Sequence, residues 1–114
     1  MSLVDDWRLF TGYTTTNRID FRGQKRKEVV EQTTFFSLQP KDLEGVKEVL
    51  FVYPPESKAA IICITDKVAR GLYNYDKHND RMILRNFDFK DKALAVTITT
   101  DKVITRDNIS VYLR

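Results

Sequence analysis

Five of the 19 basic side chains in this 114-residue sequence lie within residues 17–27. They are Arg18, Arg22, Lys25, Arg26 and Lys27. One acid, Asp20, lies among them, so the segment carries 5 − 1 = +4 and the rest of the chain sums to 3 − 4 = −1. Because arginine and lysine attract phosphate groups, this asymmetry predicts an anion-binding surface whose ligand is the backbone of DNA or RNA.

Two aromatic side chains, Tyr13 and Phe21, lie before and within the basic segment. Aromatic rings stack on unpaired bases, and a strand face with such rings beside a basic loop is the layout of single-strand binders. We therefore expect single-stranded nucleic acid to be the preferred ligand. The alternative is that the basic segment is an ordinary solvated loop and that the rings lie in the core.

The aromatic content points to a second class of function. The chain has seven Phe, five Tyr and one Trp, more than a core of this size needs to absorb. Tyr and Trp are frequent at protein interfaces, so Trp7, Tyr73 and Tyr75 are candidate interface residues. The alternative function is a protein-interaction or assembly subunit that forms a homo-oligomer, or binds a partner protein, through an aromatic face or a sheet edge.

The sequence lacks the residue patterns of catalytic and metal sites. The single cysteine, Cys63, lies in an apolar run, where a thiol is expected to be buried and unreactive. The single histidine, His78, lies in the polar stretch 76–81. A calcium loop starting at Asp76 would need glycine at its sixth position and glutamate at its twelfth, and the sequence has neither there. We therefore expect no enzyme of a common mechanistic class, no metal and no cofactor.

The bulk composition indicates one small globular domain spanning residues 1–114. Hydrophobic residues make up 42% of the chain and charged residues 31%, and no apolar run approaches the ~20 residues that a membrane-spanning helix needs. The first residues include two acids rather than the basic and apolar stretches of a signal peptide. These features predict a cytoplasmic protein without a membrane partner.

The apolar patterns predict mainly strands. Residues 59–64 have no polar side chain on either face of an extended strand, which is typical of a central strand covered on both faces. Residues 93–100 alternate apolar with small or threonine side chains, as expected for a half-buried strand. Residues 27–38 fit either a helix or a strand, and their Thr-Thr-Phe-Phe sequence favours a strand.

Residues 40–50 are the best helix candidate. Pro40 suits a first helical turn, and Asp42 lies near the positive end of the helix dipole. Leu43 and Val46 begin an apolar series at helical spacing. The predicted fold is therefore mainly β, with α+β as the alternative: a single antiparallel sheet or small barrel with one short helix near residues 40–50.

Overall fold

A computed structural model of the chain describes residues 6–21, 29–66, 68–72, 75–101 and 106–114. Within these ranges the chain forms ten β-strands and one short 3₁₀ helix. The strands are β1 (Arg8–Phe10), β2 (Thr16–Phe21), β3 (Val29–Leu38), β4 (Val49–Val52), β5 (Lys58–Ile64), β6 (Ala69–Leu72), β7 (Asp76–Lys77), β8 (Arg81–Leu84), β9 (Ala93–Thr100) and β10 (Ser110–Leu113), and the 3₁₀ helix is Arg106–Asn108. The predicted mainly β fold is confirmed.

The strands form two antiparallel sheets of five strands each. Sheet 1 has the order β1-β10-β4-β8-β7, and sheet 2 has the order β2-β3-β9-β5-β6. The prediction of a single sheet or small barrel therefore differs from the structure, because the chain divides its strands between two sheets. Alternation of apolar and polar residues along each strand cannot distinguish these arrangements, since it gives the inward face but not the sheet to which a strand belongs.

The strand order is that of a double-sheet jelly roll. The edge strands β2 and β7 each extend a sheet by pairing with the next strand in the chain. When these two are set aside and the other eight are numbered in chain order, the sheets read 1-8-3-6 and 2-7-4-5. Jelly rolls carry many unrelated functions, so this topology describes the fold and leaves the function to the site.

The core lies between the two sheets, where alternate side chains of each strand point inward. Leu94, Val96 and Ile98 of β9 are at most 1% exposed, whereas the residues between them are half-buried. Phe36 of sheet 2 lies 6.0 Å from Phe51 of sheet 1 between ring centroids, so the inner faces are in direct contact. Their apolar side chains form one buried cluster, as expected for two sheets that pack face to face.

The predicted helix near residues 40–50 is wrong. Residues 40–45 form a turn, in which the Asp42 carboxylate accepts a hydrogen bond from the Gln39 amide (2.8 Å), and Gly45 has a φ of 75°. Leu43 and Val46 are buried in the core from this turn. Strand β4 already begins at Val49, so the chain has too few residues after the turn to complete a helix.

Strand β5 is covered on one face only, in contrast to the prediction for residues 59–64. Ala59, Ile61 and Cys63 are buried, whereas Ala60 and Ile64 are exposed. The central strand of sheet 2 is β9, and β5 lies beside it. Both faces of β5 are therefore apolar, as the sequence indicates, but within the described part of the chain only the inner face is covered. The prediction of a strand at 27–38 is confirmed over its described part by β3 (Val29–Leu38).

The opposite orientation of two neighbouring rings on β3 gives a stability test. Phe36 is 4% exposed and Phe35 is 39% exposed. Phe36→Ala should lower the free energy of unfolding by about 3–5 kcal/mol, because it leaves a cavity between the sheets. Phe35→Ala, the matched control, should lower it by less than about 1 kcal/mol. Urea unfolding at low protein concentration measures both, and equal losses would contradict the assigned faces.

Candidate interaction surface

The outward side chains of sheet 2 form a face with three consecutive rows that contain no charge. The register of the strands aligns Thr16, Phe35, Thr97 and Ala60 in the first row, Ser37, Ala95, Ile62 and Gly71 in the second, and Ala93, Ile64 and Ala69 in the third. We call these rows the uncharged face. Phe35 and Ile64 are its most exposed large apolar side chains, at 39% and 38%.

A fourth row beside the uncharged face carries threonines between two charged ends. Arg18 on β2 and Lys58 on β5 lie at the ends of this row, and Thr33 and Thr99 lie between them. The hydroxyls of Thr33 and Thr99 are 3.0 Å apart and share a hydrogen bond. Because these two hydroxyls form a hydrogen bond with each other, a second molecule that covers this row does not have to break that bond.

The outer side of sheet 1 carries a row of charges. The Glu48 carboxylate contacts the guanidinium of Arg114 on one side and that of Arg85 on the other, with a distance of 3.6 Å from Arg85 Nε to Glu48 Oε2. Arg85 Nε also lies 3.7 Å from Asp76 Oδ2. At the far end the Arg114 guanidinium stacks on the Trp7 ring, 4.1 Å from its centroid. The row thus alternates in sign across the sheet.

Next to these charges lies an apolar row with Leu9, Tyr112, Leu50 and Ile83. Leu9 is 60% exposed, whereas Tyr112 and Ile83 are half-buried. Sheet 1 therefore places an apolar row directly beside ion pairs. On sheet 2 the apolar and small side chains extend over three rows without interruption.

Of the residues predicted to bind nucleic acid, the structure describes the side chains of Tyr13 and Arg18. Tyr13 is 5% exposed, its ring packs 4.9 Å from Phe36, and its hydroxyl donates to the carbonyl of Ile109 at 3.3 Å. The prediction that Tyr13 stacks on bases is therefore wrong, because the ring belongs to the core. Arg18 is exposed on β2. Phe21 is the last residue of that strand. Arg22, Lys25, Arg26 and Lys27 lie outside the described residues.

Of the residues predicted to form an interface, the two that the structure describes, Trp7 and Tyr75, lie next to opposite edge strands of sheet 1. Trp7 is half-buried and stacked on Arg114 at the end of sheet 1. Tyr75 is partly buried and packs against the core, and Tyr73 lies outside the described residues. The interaction surface that the geometry provides is instead built from Phe35, Ile62 and their small neighbours. Its signal in the sequence was the apolar character of both faces of residues 59–64, which required a cover for each face.

An open groove of about 1480 Å³ lies between the turn at 40–48 and the loop at 86–91. Its rim mixes basic side chains such as Lys41 and Lys90 with acidic ones such as Glu44 and Asp91. A rim of both signs does not select a ligand by charge. We therefore base the functional assignment on the uncharged face.

Two ionisable groups near β7, Tyr53 and Asp80, have shifted pKa values. The Tyr53 hydroxyl donates to the His78 carbonyl at 3.3 Å, and burial, with nearby Tyr75 and Asp80, raises the pKa of Tyr53 to about 12. A hydrogen bond from Arg81 lowers the pKa of the exposed Asp80 carboxyl. Among the described residues, no three His, Cys, Asp or Glu side chains are placed to hold a metal ion.

Comparisons with known protein families, with curated protein sequences and with solved structures found no match. In the described parts of the chain, no helix is long and apolar enough to cross a membrane.

The pKa of Tyr53 gives a pH test of the loop that covers it. The folded protein keeps the phenolic proton up to about pH 12, whereas an unfolded tyrosine releases it near 10.0. The free energy of unfolding should therefore fall as pH rises from 10 to 12. Absorbance titration of Tyr53→Phe should lose a phenol that ionises near pH 12. Tyr112→Phe, the matched control, should keep that step, and its loss there instead would contradict the assignment.

Proposed function

We propose that the protein is a non-enzymatic interaction module that binds a protein partner through the uncharged face of sheet 2. The observation that carries this proposal is the extent of the face: three rows that together involve all five strands of sheet 2 and contain no Asp, Glu, Lys or Arg side chain. A surface without charge that exposes large apolar side chains such as Phe35 and Ile64 is typical of interaction sites. The cytoplasmic location expected from the sequence stays a prediction.

The composition of the face agrees with the usual anatomy of an interface. Phe35, Ile62 and Ile64 supply apolar area that binding would remove from water, worth ~25 cal/mol for each Å². The small side chains between them let a partner approach closely. Arg18 and Lys58 lie at the margin, where charges stay solvated in most interfaces.

The proposal is tested with a pair of substitutions that place the same charge on opposite sheets. The tagged protein is purified from the cells that make it, as wild type, as Phe35→Glu and as Leu9→Glu. Phe35→Glu should release the bound partner, because it brings an unpaired carboxylate into the contact. Leu9→Glu changes a more exposed apolar residue on sheet 1 and should retain the partner.

Both variants must keep the circular dichroism spectrum and the melting temperature of the wild type within a few degrees. Retention of the same partners by Phe35→Glu would overturn the proposal. If only Leu9→Glu loses the partners, the interaction surface is the apolar row of sheet 1 instead.

A second candidate function, single-stranded nucleic-acid binding, is favoured by the position of Arg18. The exposed Asn17 accepts a hydrogen bond at 2.8 Å from Thr34, which is buried on the inner face of sheet 2. Its neighbour Arg18 is therefore on the outer face. Arg18 pairs with Thr33, two residues from Phe35 on the same face. Diagonal neighbours on adjacent strands lie about 7–8 Å apart, which puts a basic group beside an exposed ring. Phe35 can therefore supply the stacking surface that Tyr13 does not.

Fluorescence anisotropy with single- and double-stranded oligonucleotides at two salt concentrations tests this second function. Affinity should fall steeply with salt, because the contacts are made to phosphates. Phe35→Leu should reduce the preference for single strands, since stacking contributes ~1–3 kcal/mol per base. Arg18→Glu should weaken binding to both forms. The absence of binding by wild type at low salt would exclude this function.

The charge of the basic segment needs its own matched control. The triple variant of Arg22, Lys25 and Lys27 to glutamate should abolish binding. Lys41, Lys47 and Lys90 are exposed in the turn and loop that border the groove, and their change to glutamate alters the net charge equally. This control should keep most of the affinity. Equal loss in both would indicate attraction by net charge alone.

A further inference from the structure

Resting on the proposed function, we infer that the partner of the uncharged face is a second copy of this chain, in a dimer with twofold symmetry. The axis runs between the two facing sheets along β9, the central strand of sheet 2. This arrangement sets sheet 2 of one copy on sheet 2 of the other, at the ~10 Å spacing of packed sheets.

The shape of the face is complementary to itself about this axis. Phe35 on β3 and Ala60 on β5 are both aligned with Thr97 of β9, one strand away on either side. Rotation by half a turn about an axis along β9 exchanges the two sides. The Phe35 ring of each copy then lies over Ala60 of the other, and Thr97 faces Thr97. In an isologous interface the same patch of each copy contacts the other copy, so both halves of the contact must fit at the same time.

The next row repeats this relation between a larger and a smaller side chain. Ser37 on β3 and Ile62 on β5 both align with Ala95 of β9. The same rotation places Ile62 of one copy over Ser37 of the other. These two rows thus each pair a projecting side chain with a small one, which allows the sheets to approach closely there.

The absence of charge on the face also favours a second copy over an acidic or basic partner. The chain has a net charge of +3, which repels two copies in general. The three rows of the face contain no charge, so the two copies meet where this repulsion is smallest. A strongly charged partner would find no opposite charge on these rows.

The area of the face sets the expected strength of the dimer. Four strands ~4.8 Å apart and three rows two residues (~6.6 Å) apart give a surface of about 20 Å by 20 Å with side-chain margins, or about 400 Å² per copy. A dimer then buries about 800 Å², which is the size of a weak, transient contact. We therefore expect a reversible dimer that forms at tens to hundreds of micromolar protein.

Sedimentation equilibrium of the full chain tests the dimer with matched substitutions on the two sheets. Ile62 and Ile83 are both half-buried isoleucines on outer faces, one on each sheet. Ile62→Lys should raise the dimer dissociation constant at least tenfold, because it brings a desolvated charge into each half of the contact. Ile83→Lys should leave the constant unchanged. If Ile62→Lys fails to fold, Thr97→Lys replaces it.

Cross-linking tests the position of the axis. In a Cys63→Ala background, Thr97→Cys places one thiol per chain next to the axis, so a short bismaleimide should give a covalent dimer in high yield. Ser110→Cys, half-buried on the outer side of sheet 1, should stay monomeric under the same treatment. A dimer cross-linked through Ser110→Cys instead would overturn the inference.

The outcomes distinguish this inference from the proposed function. A wild type that stays monomeric up to about 1 mM overturns the dimer. If a protein partner still depends on Phe35 in that case, the proposed function stands and its partner is a different chain. If neither self-association nor partner binding depends on the face, both proposals fail. A dimer that Ile83→Lys weakens more than Ile62→Lys also overturns the inference.

Discussion

A sandwich of two sheets buries one face of each sheet and leaves the other to the solvent. This constraint follows from the alternation of side chains along a strand, since each strand contributes to both faces. The outer faces of the two sheets differ in their charged side chains. Sheet 1 places the pairs Arg114–Glu48 and Arg85–Asp76 beside its apolar row. Sheet 2 has no charge over three rows, and that difference directs the functional proposal.

The inner faces are held together by aromatic contacts that reach across the core. Tyr13 packs between Phe10 and Phe36, and Phe36 in turn contacts Phe51 on the facing sheet. Tyr13 lies in the connection from β1 in sheet 1 to β2 in sheet 2, so its burial fixes the point at which the chain changes sheets. Lys77 adds a contact at the opposite edge, where its ammonium donates to the Ala59 carbonyl at 3.2 Å. Both sheets are thereby fixed relative to each other.

The sequence predicted the strands better than the arrangement of the strands. The alternation in 93–100 and the Thr-Thr-Phe-Phe of β3 gave the two longest strands, and the apolar run gave β5. The helix at 40–50 was wrong because its apolar spacing also fits a turn that buries Leu43 and Val46. Membership of the two sheets depends on pairing between distant segments, such as β1 with β10, and local patterns carry no information about it.

The site could be predicted only in part, for a related reason. The charge asymmetry was visible in the sequence, and so was the apolar character of both faces of β5. The register was not visible, so nothing indicated that Phe35, Thr97 and Ala60 align in one row. The position of Tyr13 just before the basic segment predicts a ring on the surface. Its position between Phe10 and Phe36 depends on tertiary packing that proximity in sequence does not reveal.

Phe35 links the two functions that the geometry allows, and it makes them compete. A base stacked on the ring would occupy the space that a facing sheet needs, since both approach the same side of β3. The two binding events therefore cannot share one face at the same time. They differ in their response to salt, because phosphate contacts weaken as salt rises whereas apolar contacts do not. If both occur, raising the salt concentration would shift the protein from the nucleic-acid complex toward the dimer, and Phe35 would be the residue at which the exchange takes place.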